Sequence, residues 1–345
     1  MDKEVQVKIE KSTGIIALNR PKAINALNFE MIKAIDIALS EFEENPKING
    51  VLLKSAHERG FCAGGDIRLA RQNALDSKIE EMHKFFAAEY ALDGKIVKFS
   101  KPIVVLTDGI VMGGGLGLAG HAKYRITTSN SRFAMPEAAI GFVCDCGIDA
   151  ILAKVERHIA LAFLMSGEVV GANDALALGL SDCIINKSSI KQVENELIKA
   201  MNSTNINSAL KEVMRMKNIK GNETPFIEKA NSCKQAFLED NILEIMNKLK
   251  QLSDGNHHAK SLFQRLIKLC PTSLAAILIS HDKARQDSDV DKVLNNDFLL
   301  ATFMAAREDF VEGVRAVVID KDQNPNWQPD DLNNVNIDKI HAIIA

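Results

Sequence analysis

Two glycine runs, each set between a short apolar run and a helical pattern, constrain this 345-residue chain more than any other feature. Gly64-Gly65 follows the strand-like Gly50-Val51-Leu52-Leu53-Lys54, and Gly113-Gly114-Gly115 follows the strand-like Ile103-Val104-Val105-Leu106. A strand that feeds a helix through a glycine turn, used repeatedly, predicts an α/β chain. Glycine also lets backbone come close to a ligand, and amides at a helix start are donors to an anion or a polarised carbonyl oxygen. Taken alone, Gly64-Gly65 is better read as a tight connecting turn. The second run contains G-x-G-x-x-G at Gly115, Gly117 and Gly120, with Glu137 downstream as in a dinucleotide fingerprint. That match is weak, because it leaves the glycine triplet, the first glycine loop and Met135-Pro136-Glu137 without a role. Two pairs of amides converging on one carbonyl oxygen account for more of them.

The rest of the chain fits the same alternation. Val5 to Ile9 and Gly14 to Leu18 read as a β-hairpin. A helix follows, capped by Asn28, with Ile32, Ile35, Leu39 and Phe42 at helical spacing until Asn45-Pro46 stops it. A long helical stretch is expected from about Asp76 to Val97, then strands at Tyr124–Thr128, Arg132–Ala134 and Asp182–Ile185. Beyond about Ser189 strand-like runs almost vanish, and patterns such as Ile242, Ile245, Met246, Leu249 and Leu252 are helical. The expected division is therefore residues 1–190 as an α/β core and 191–345 as a mainly helical C-terminal region.

Composition excludes some classes. With 46% hydrophobic and 25% charged residues the chain is globular rather than disordered, and a net charge of -3 predicts no broad attraction to nucleic acid or an anionic membrane. A local basic pocket for a phosphate-bearing ligand remains compatible with that balance. The stretch Ile103 to Gly120 approaches spanning length, but Asp108 and its glycines read as a buried strand, turn and helix. The six cysteines form no C-x-x-C pair, so neither a disulfide framework nor a zinc site is indicated, and no metal is expected. The mixed-charge start, Met1-Asp2-Lys3-Glu4, lacks a signal or transit pattern, and the expected location is cytoplasmic.

Met135-Pro136-Glu137 through Cys144-Asp145 places two carboxylates eight residues apart across a proline and a glycine. If the loop folds back, both acids enter one cavity and their pKa values separate, which suits a nucleophile or base beside an acid. Solvated surface acids are an equally good reading of that segment by itself. Cys144 and Cys146 flank Asp145 with no histidine nearby in sequence, so they are read as packing residues. His257-His258 reads as a solvated pair in a polar loop. There is no G-x-S-x-G elbow, H-E-x-x-H or P-loop.

In order, these motifs resemble the crotonase, or enoyl-CoA hydratase/isomerase, superfamily. Asn19-Arg20-Pro21-Lys22-Ala23-Ile24-Asn25-Ala26-Leu27 resembles its first CoA-binding segment, Ala63-Gly64-Gly65-Asp66-Ile67 its first oxyanion loop and Gly113-Gly114-Gly115 its second. The resemblance implies a spiral of strand-strand-helix repeats with a helical C-terminal extension. It assigns Lys22, Ala23, Ala63, Gly65, Asp66 and Ile67 to CoA, and the Gly65 and Gly114 amides to the thioester oxygen. Hydratases of this family use two glutamates; the first falls at Gly117 here and the second at Glu137, so water addition to a double bond is not expected. Glu137 with Asp145 and Glu89, and the tail segments Cys270-Pro271-Thr272-Ser273-Leu274 and Asp309-Phe310-Val311-Glu312-Gly313, resemble the 3-hydroxyisobutyryl-CoA hydrolase branch. That resemblance makes Glu137 and Asp145 catalytic and lets Glu89, Gly114, Glu137 and Asp145 bind the acyl group.

The implied reaction is hydrolysis of a short hydroxyacyl-CoA, most specifically 3-hydroxyisobutyryl-CoA of valine catabolism. No separate cofactor is implied, CoA being part of the substrate, and a homo-oligomer is a family expectation. The alternatives are an isomerase or hydratase of the same fold, or a non-catalytic acyl-CoA- or RNA-binding relative. Relatives usually carry Phe-Pro before the aspartate and glycines after it. This chain has Val143-Cys144 before and Cys146-Gly147 after, which bears on acyl preference.

Overall fold

A computed structural model describes residues 3–219, 221 and 223–345. Met1 and Asp2, part of the charged start noted above, lie outside the described residues. The chain groups into two compact units: Met1–Gly65, Ala91–Phe133 and Val169–Thr224 form the first, and Asp66–Tyr90, Ala134–Glu168 and Pro225–Ala345 the second.

The first unit is built on a six-stranded sheet. Strands β1 (Val5–Glu10) and β2 (Thr13–Leu18) form the expected antiparallel hairpin. Strand β2 then pairs in parallel with β3 (Gly50–Ser55), β3 with β4 (Ile103–Thr107), β4 with β6 (Tyr124–Thr128) and β6 with β8 (Cys183–Ile185). The order is β1-β2-β3-β4-β6-β8. Every residue of β2 and β4 is buried, which is why they read as unbroken apolar runs rather than alternating ones. Strands β5 (Ile110–Met112) and β7 (Arg132–Ala134) make a separate two-stranded ladder.

Helix α1 (Phe29–Glu44) starts where Asn28 accepts from the Met31 amide at 2.8 Å, and stops at Asn45-Pro46. Its buried stripe, Met31, Ile32, Ile35, Leu39 and Phe42, follows the helical period. Phe42 lies so close to Gly14 that a Cβ there would sit 2.4 Å from the ring. The helices Ile190–Met201 and Ile206–Lys217 cover Ile15, Leu52, Val104, Ile126 and Ile185 of the sheet with Val193, Leu197 and Leu210. Each such buried side chain contributes about 1.5–3 kcal/mol.

The second unit is helical. The long helix expected from Asp76 is present as α3 (Ile79–Lys98), which belongs to this unit as far as Tyr90 and is preceded by the shorter α2 (Ile67–Leu75), whose N-cap Asp66 accepts from the Leu69 amide. His257 and His258 do not sit in a loop. They open the helix His257–Leu266, because Asn256 accepts from both the His258 and Ala259 amides and so caps it. The helix Glu308–Val314 lies directly against the turn Glu137–Ile140. A Cβ on Gly141, which has φ 68°, would fall 2.4 Å from Asp309 O, and one on Gly313 would fall 2.4 Å from the Ile140 carbonyl carbon. Among the described residues no single helix is long and apolar enough to cross a membrane.

Candidate active site

In the first unit the two glycine turns meet. Phe61 and Cys62 donate to Ile110 O, Met112 donates to Cys62 O at 3.0 Å, and Cys62 bridges Val111 in parallel, so the Phe61–Gly65 segment runs beside Ile110–Gly115. The fit requires glycine on both sides. A Cβ on Gly64, where φ is 100°, would lie 3.1 Å from Met112 O and 3.5 Å from Gly114 N, and one on Gly115 only 2.6 Å from Cys62 O. Gly114 begins helix α4 (Gly114–Gly120), so its amide has no intrahelical acceptor. Among the described residues no acceptor meets the Gly65 amide either. Two free donors on turns in contact can hold one oxygen that gains negative charge.

The segment Asn19–Leu27 is locked to the same loop. Pro21–Ala23 forms a 3₁₀ turn, Ala63 donates to Ile24 O at 3.0 Å, Leu27 donates to Gly64 O at 2.7 Å, and the Asn25 amide group donates to Phe61 O at 2.8 Å. Lys22, Ala23, Ala63 and Gly65 thus lie in one connected stretch of the first unit, with Lys22 exposed. Asp66 and Ile67 continue the chain from Gly65 into α2, in the second unit.

The acids gather in the second unit. Glu89, Glu137 and Asp145 are 4%, 6% and 6% exposed, so the surface reading of Glu137 and Asp145 fails. Glu137 opens a 3₁₀ turn ended by Gly141 in the left-handed region, and this turn returns the chain toward Asp145. The Tyr90 hydroxyl donates to Asp145 Oδ2 at 2.6 Å. The Cys144 thiol donates to Glu137 Oε2 at 3.7 Å. Phe86 stacks on Tyr90 and on Phe142, with centroids 6.1 and 5.6 Å apart, and Phe142 packs against Phe310. These rings pack on Tyr90 and on the segment between Glu137 and Asp145.

Burial therefore dominates the electrostatics. It raises Glu137 well above the ordinary carboxylate range, helped by the Asp145 charge, and raises Glu89 likewise, helped by Asp145 and then Glu137. Asp145 is also raised by burial but only to about 6, because the Tyr90 hydroxyl and the Cys146 thiol stabilise its ionised form. Three acids in one dry pocket share few negative charges, and the first to form belongs on Asp145. Protons on Glu89 and Glu137 make the cluster an acid-base pair with a spare hydrogen-bonding carboxyl.

Other contributors had no signal in the sequence. Tyr90 follows Glu89 on α3, yet its role depends on a partner 55 residues away. Asp297, on the helix Val290–Ala305, accepts from the Gly147 amide at 2.7 Å and fixes the turn after Asp145. Asp149 is held by His281 Nδ1 at 2.8 Å and by the Ser280 hydroxyl at 3.1 Å, from the helix Pro271–Gln286. Only a pattern of unexplained polar residues at apolar helix positions could have pointed to them.

Comparison with known proteins gives the family and the fold. The family profile described as enoyl-CoA hydratase/isomerase matches residues 13–344. The chain is 34% identical over 342 residues to the mitochondrial 3-hydroxyisobutyryl-CoA hydrolase of Homo sapiens, covering 97% of this chain and 87% of that protein. It is 35% identical over 335 residues to the Gallus gallus protein of the same name, covering 96% and 86%. Among solved structures, a carnitinyl-CoA dehydratase from Mycobacterium thermoresistibile superposes with a TM-score of 0.91 at 28% identity, covering 100% of this chain and 97% of that one. An enoyl-CoA hydratase from Rhodobacter sphaeroides 2.4.1 gives 0.90 at 27% identity, covering 99% and 97%.

Proposed function

We propose, from the premise that this chain belongs to the enoyl-CoA hydratase/isomerase family and has its α/β fold, that it hydrolyses a short hydroxyacyl-CoA thioester, with 3-hydroxyisobutyryl-CoA as the favoured substrate. The family acts on acyl-CoA substrates, so the question is which reaction follows binding. The observation that carries the reading is the buried set Glu137, Asp145 and Glu89, combined with Gly117 where a hydratase of this family carries its first glutamate. One acid of the hydratase pair is missing, and two others stand in the pocket instead. The curated hydrolases that match nearly the whole chain support the same choice.

In the proposed reaction the Gly65 and Gly114 amides donate to the thioester oxygen and stabilise the negative charge it gains. The reactive form of the pair has one charge and one proton. That charge rests first on Asp145, which takes the Glu137 proton; the Glu137 carboxylate so formed either attacks the thioester carbon, giving an acyl-glutamyl anhydride that water then cleaves, or takes a proton from the water that attacks. In both cases the carbon-sulfur bond breaks, the sulfur leaves as a thiolate, and the proton carried by Asp145 is passed toward it. Glu89, kept neutral by its surroundings, offers a hydrogen bond to the acyl hydroxyl. Lys22, Ala23, Ala63, Asp66 and Ile67 are assigned to the CoA moiety.

A panel of short acyl-CoA esters tests the reading, with thiol release and enoyl absorbance followed in parallel. Release of CoA from 3-hydroxyisobutyryl-CoA well above that from isobutyryl-CoA, with no hydration of an enoyl-CoA, is the expected result. Hydration or double-bond migration without thiol release would overturn it in favour of a hydratase or isomerase. Tight CoA binding with neither activity would favour a non-catalytic relative.

A further inference from the structure

Cys146 has φ 59°, in the left-handed region where a side chain is strained and glycine is not. It is nevertheless a cysteine, fully buried, and its thiol donates to the Asp145 carboxylate. The strained backbone therefore delivers a sulfur to the side of the acid cluster. Ligand atoms of Glu89, Asp145 and Cys146 all lie within 4.8 Å of one another. Glu89 Oε1, in a residue only 4% exposed, has no hydrogen-bond partner among the described residues. The Glu89 carboxyl thus has an unpartnered buried oxygen and stands beside a second carboxylate and a thiol.

We propose that Glu89, Asp145 and Cys146 form a binding site for a thiophilic divalent cation of the Zn²⁺ class, and that the bound cation blocks turnover. One sulfur and two carboxylate oxygens make a donor set that zinc accepts, whereas Mg²⁺ and Ca²⁺ take oxygen alone. Zinc ligands at bond lengths of about 2.0–2.3 Å stand roughly 3.5 Å apart, so rotation of two side chains by about an ångström closes the site. Three protein ligands leave a fourth position for water. Occupation ties down Asp145 and Glu89, so the cation competes with the acyl group. The block of turnover rests on the hydrolase reading, while the binding of metal does not.

The test uses the full chain, stripped of metal, and two probes: ZnCl₂ followed by calorimetry, and CdCl₂ followed by the ultraviolet charge-transfer band of cadmium-thiolate. Cys146→Gly is the informative variant, because glycine relaxes the positive φ and the other five cysteines remain. Wild type is expected to bind one Zn²⁺ at this site and show the cadmium band. Cys146→Gly should lose the band and at least about 100-fold in Zn²⁺ affinity, the upper end for changes one layer further out. Glu89→Gln should weaken binding while keeping the band. Inhibition is then read against each protein's own metal-free rate, and Zn²⁺ should raise KM for the acyl-CoA in wild type and leave it unchanged in Cys146→Gly. Equal Zn²⁺ affinity in wild type and Cys146→Gly, or no cadmium band in wild type, would overturn the proposal. A chain that binds Zn²⁺ through Cys146 yet releases no CoA leaves the site standing and removes the hydrolase reading; one that hydrolyses thioesters without binding Zn²⁺ does the reverse.

Discussion

The Tyr90 hydroxyl donates to Asp145 Oδ2 at 2.6 Å, and this bond opposes burial more than any other contact of that carboxyl. It joins α3 to the turn that follows Glu137, and it decides where the first negative charge of the acid cluster resides.

Removing that donor should move the acidic side of the pH profile. In Tyr90→Phe the ionised form of Asp145 loses a charged hydrogen bond of about 1.5–3 kcal/mol, which corresponds to roughly 1–2 pH units. Because the bond favours the charged form, its loss raises the pKa further above about 6. The acidic limb of kcat/KM for thioester hydrolysis should shift upward while the plateau at high pH falls much less. An unmoved limb would mean that the Asp145 charge is not needed for turnover.

The contact between the glycine turns can be broken with one methyl group. In Gly115→Ala the new Cβ meets Cys62 O at 2.6 Å and Cys62 Cβ at 2.8 Å, so the turns must separate. Losing the alignment of an oxyanion donor lowers kcat by about 100- to 1,000-fold. Gly171→Ala serves as the control, since nothing lies within 4 Å of its Cβ, and it should change stability by less than about 0.5 kcal/mol. Steady-state thiol release and thermal melts of both variants check this.

Asp297 offers a stability test outside the reacting groups. Burial, then the charges of Asp149 and Asp145, raise its carboxyl well above the ordinary value of 3.8, although the Gly147 amide partly offsets them. A carboxyl raised on folding binds its proton more tightly in the native state. Its stabilising contribution is complete below pH 3.8 and is lost as pH rises toward the higher native value. Asp297→Asn keeps an oxygen for the Gly147 amide without the titration. Chemical denaturation should find the variant less pH-sensitive than wild type and relatively more stable at pH 8 than at pH 4. A pH-independent difference would contradict the assignment.

Local signals carried most of what the sequence revealed. The glycine runs, the Asn28 cap and the unbroken apolar strands depend on near neighbours, so the α/β order and the two glycine turns were legible. Glu137 and Asp145 were recognisable as a pair, but their burial was not, because the packing of Phe86, Phe142 and Phe310 brings together three separate segments. Asp297 reaches Gly147 across 150 residues, and His281 reaches Asp149 across 132. No spacing rule covers contacts of that range. The misplacement of His257 and His258 has a smaller cause: the Asn256 side chain turns a polar stretch into a helix start.

The central claim is that Glu137 carries the hydrolysis of a thioester, and the rate of CoA release from 3-hydroxyisobutyryl-CoA by Glu137→Gln tests it most directly. Glutamine preserves the size of the side chain in the turn Glu137–Ile140 and can neither attack nor take a proton. The account predicts a fall of about 100- to 10,000-fold in thiol release with the melting temperature unchanged or raised. Turnover close to wild type in a folded Glu137→Gln protein would contradict it.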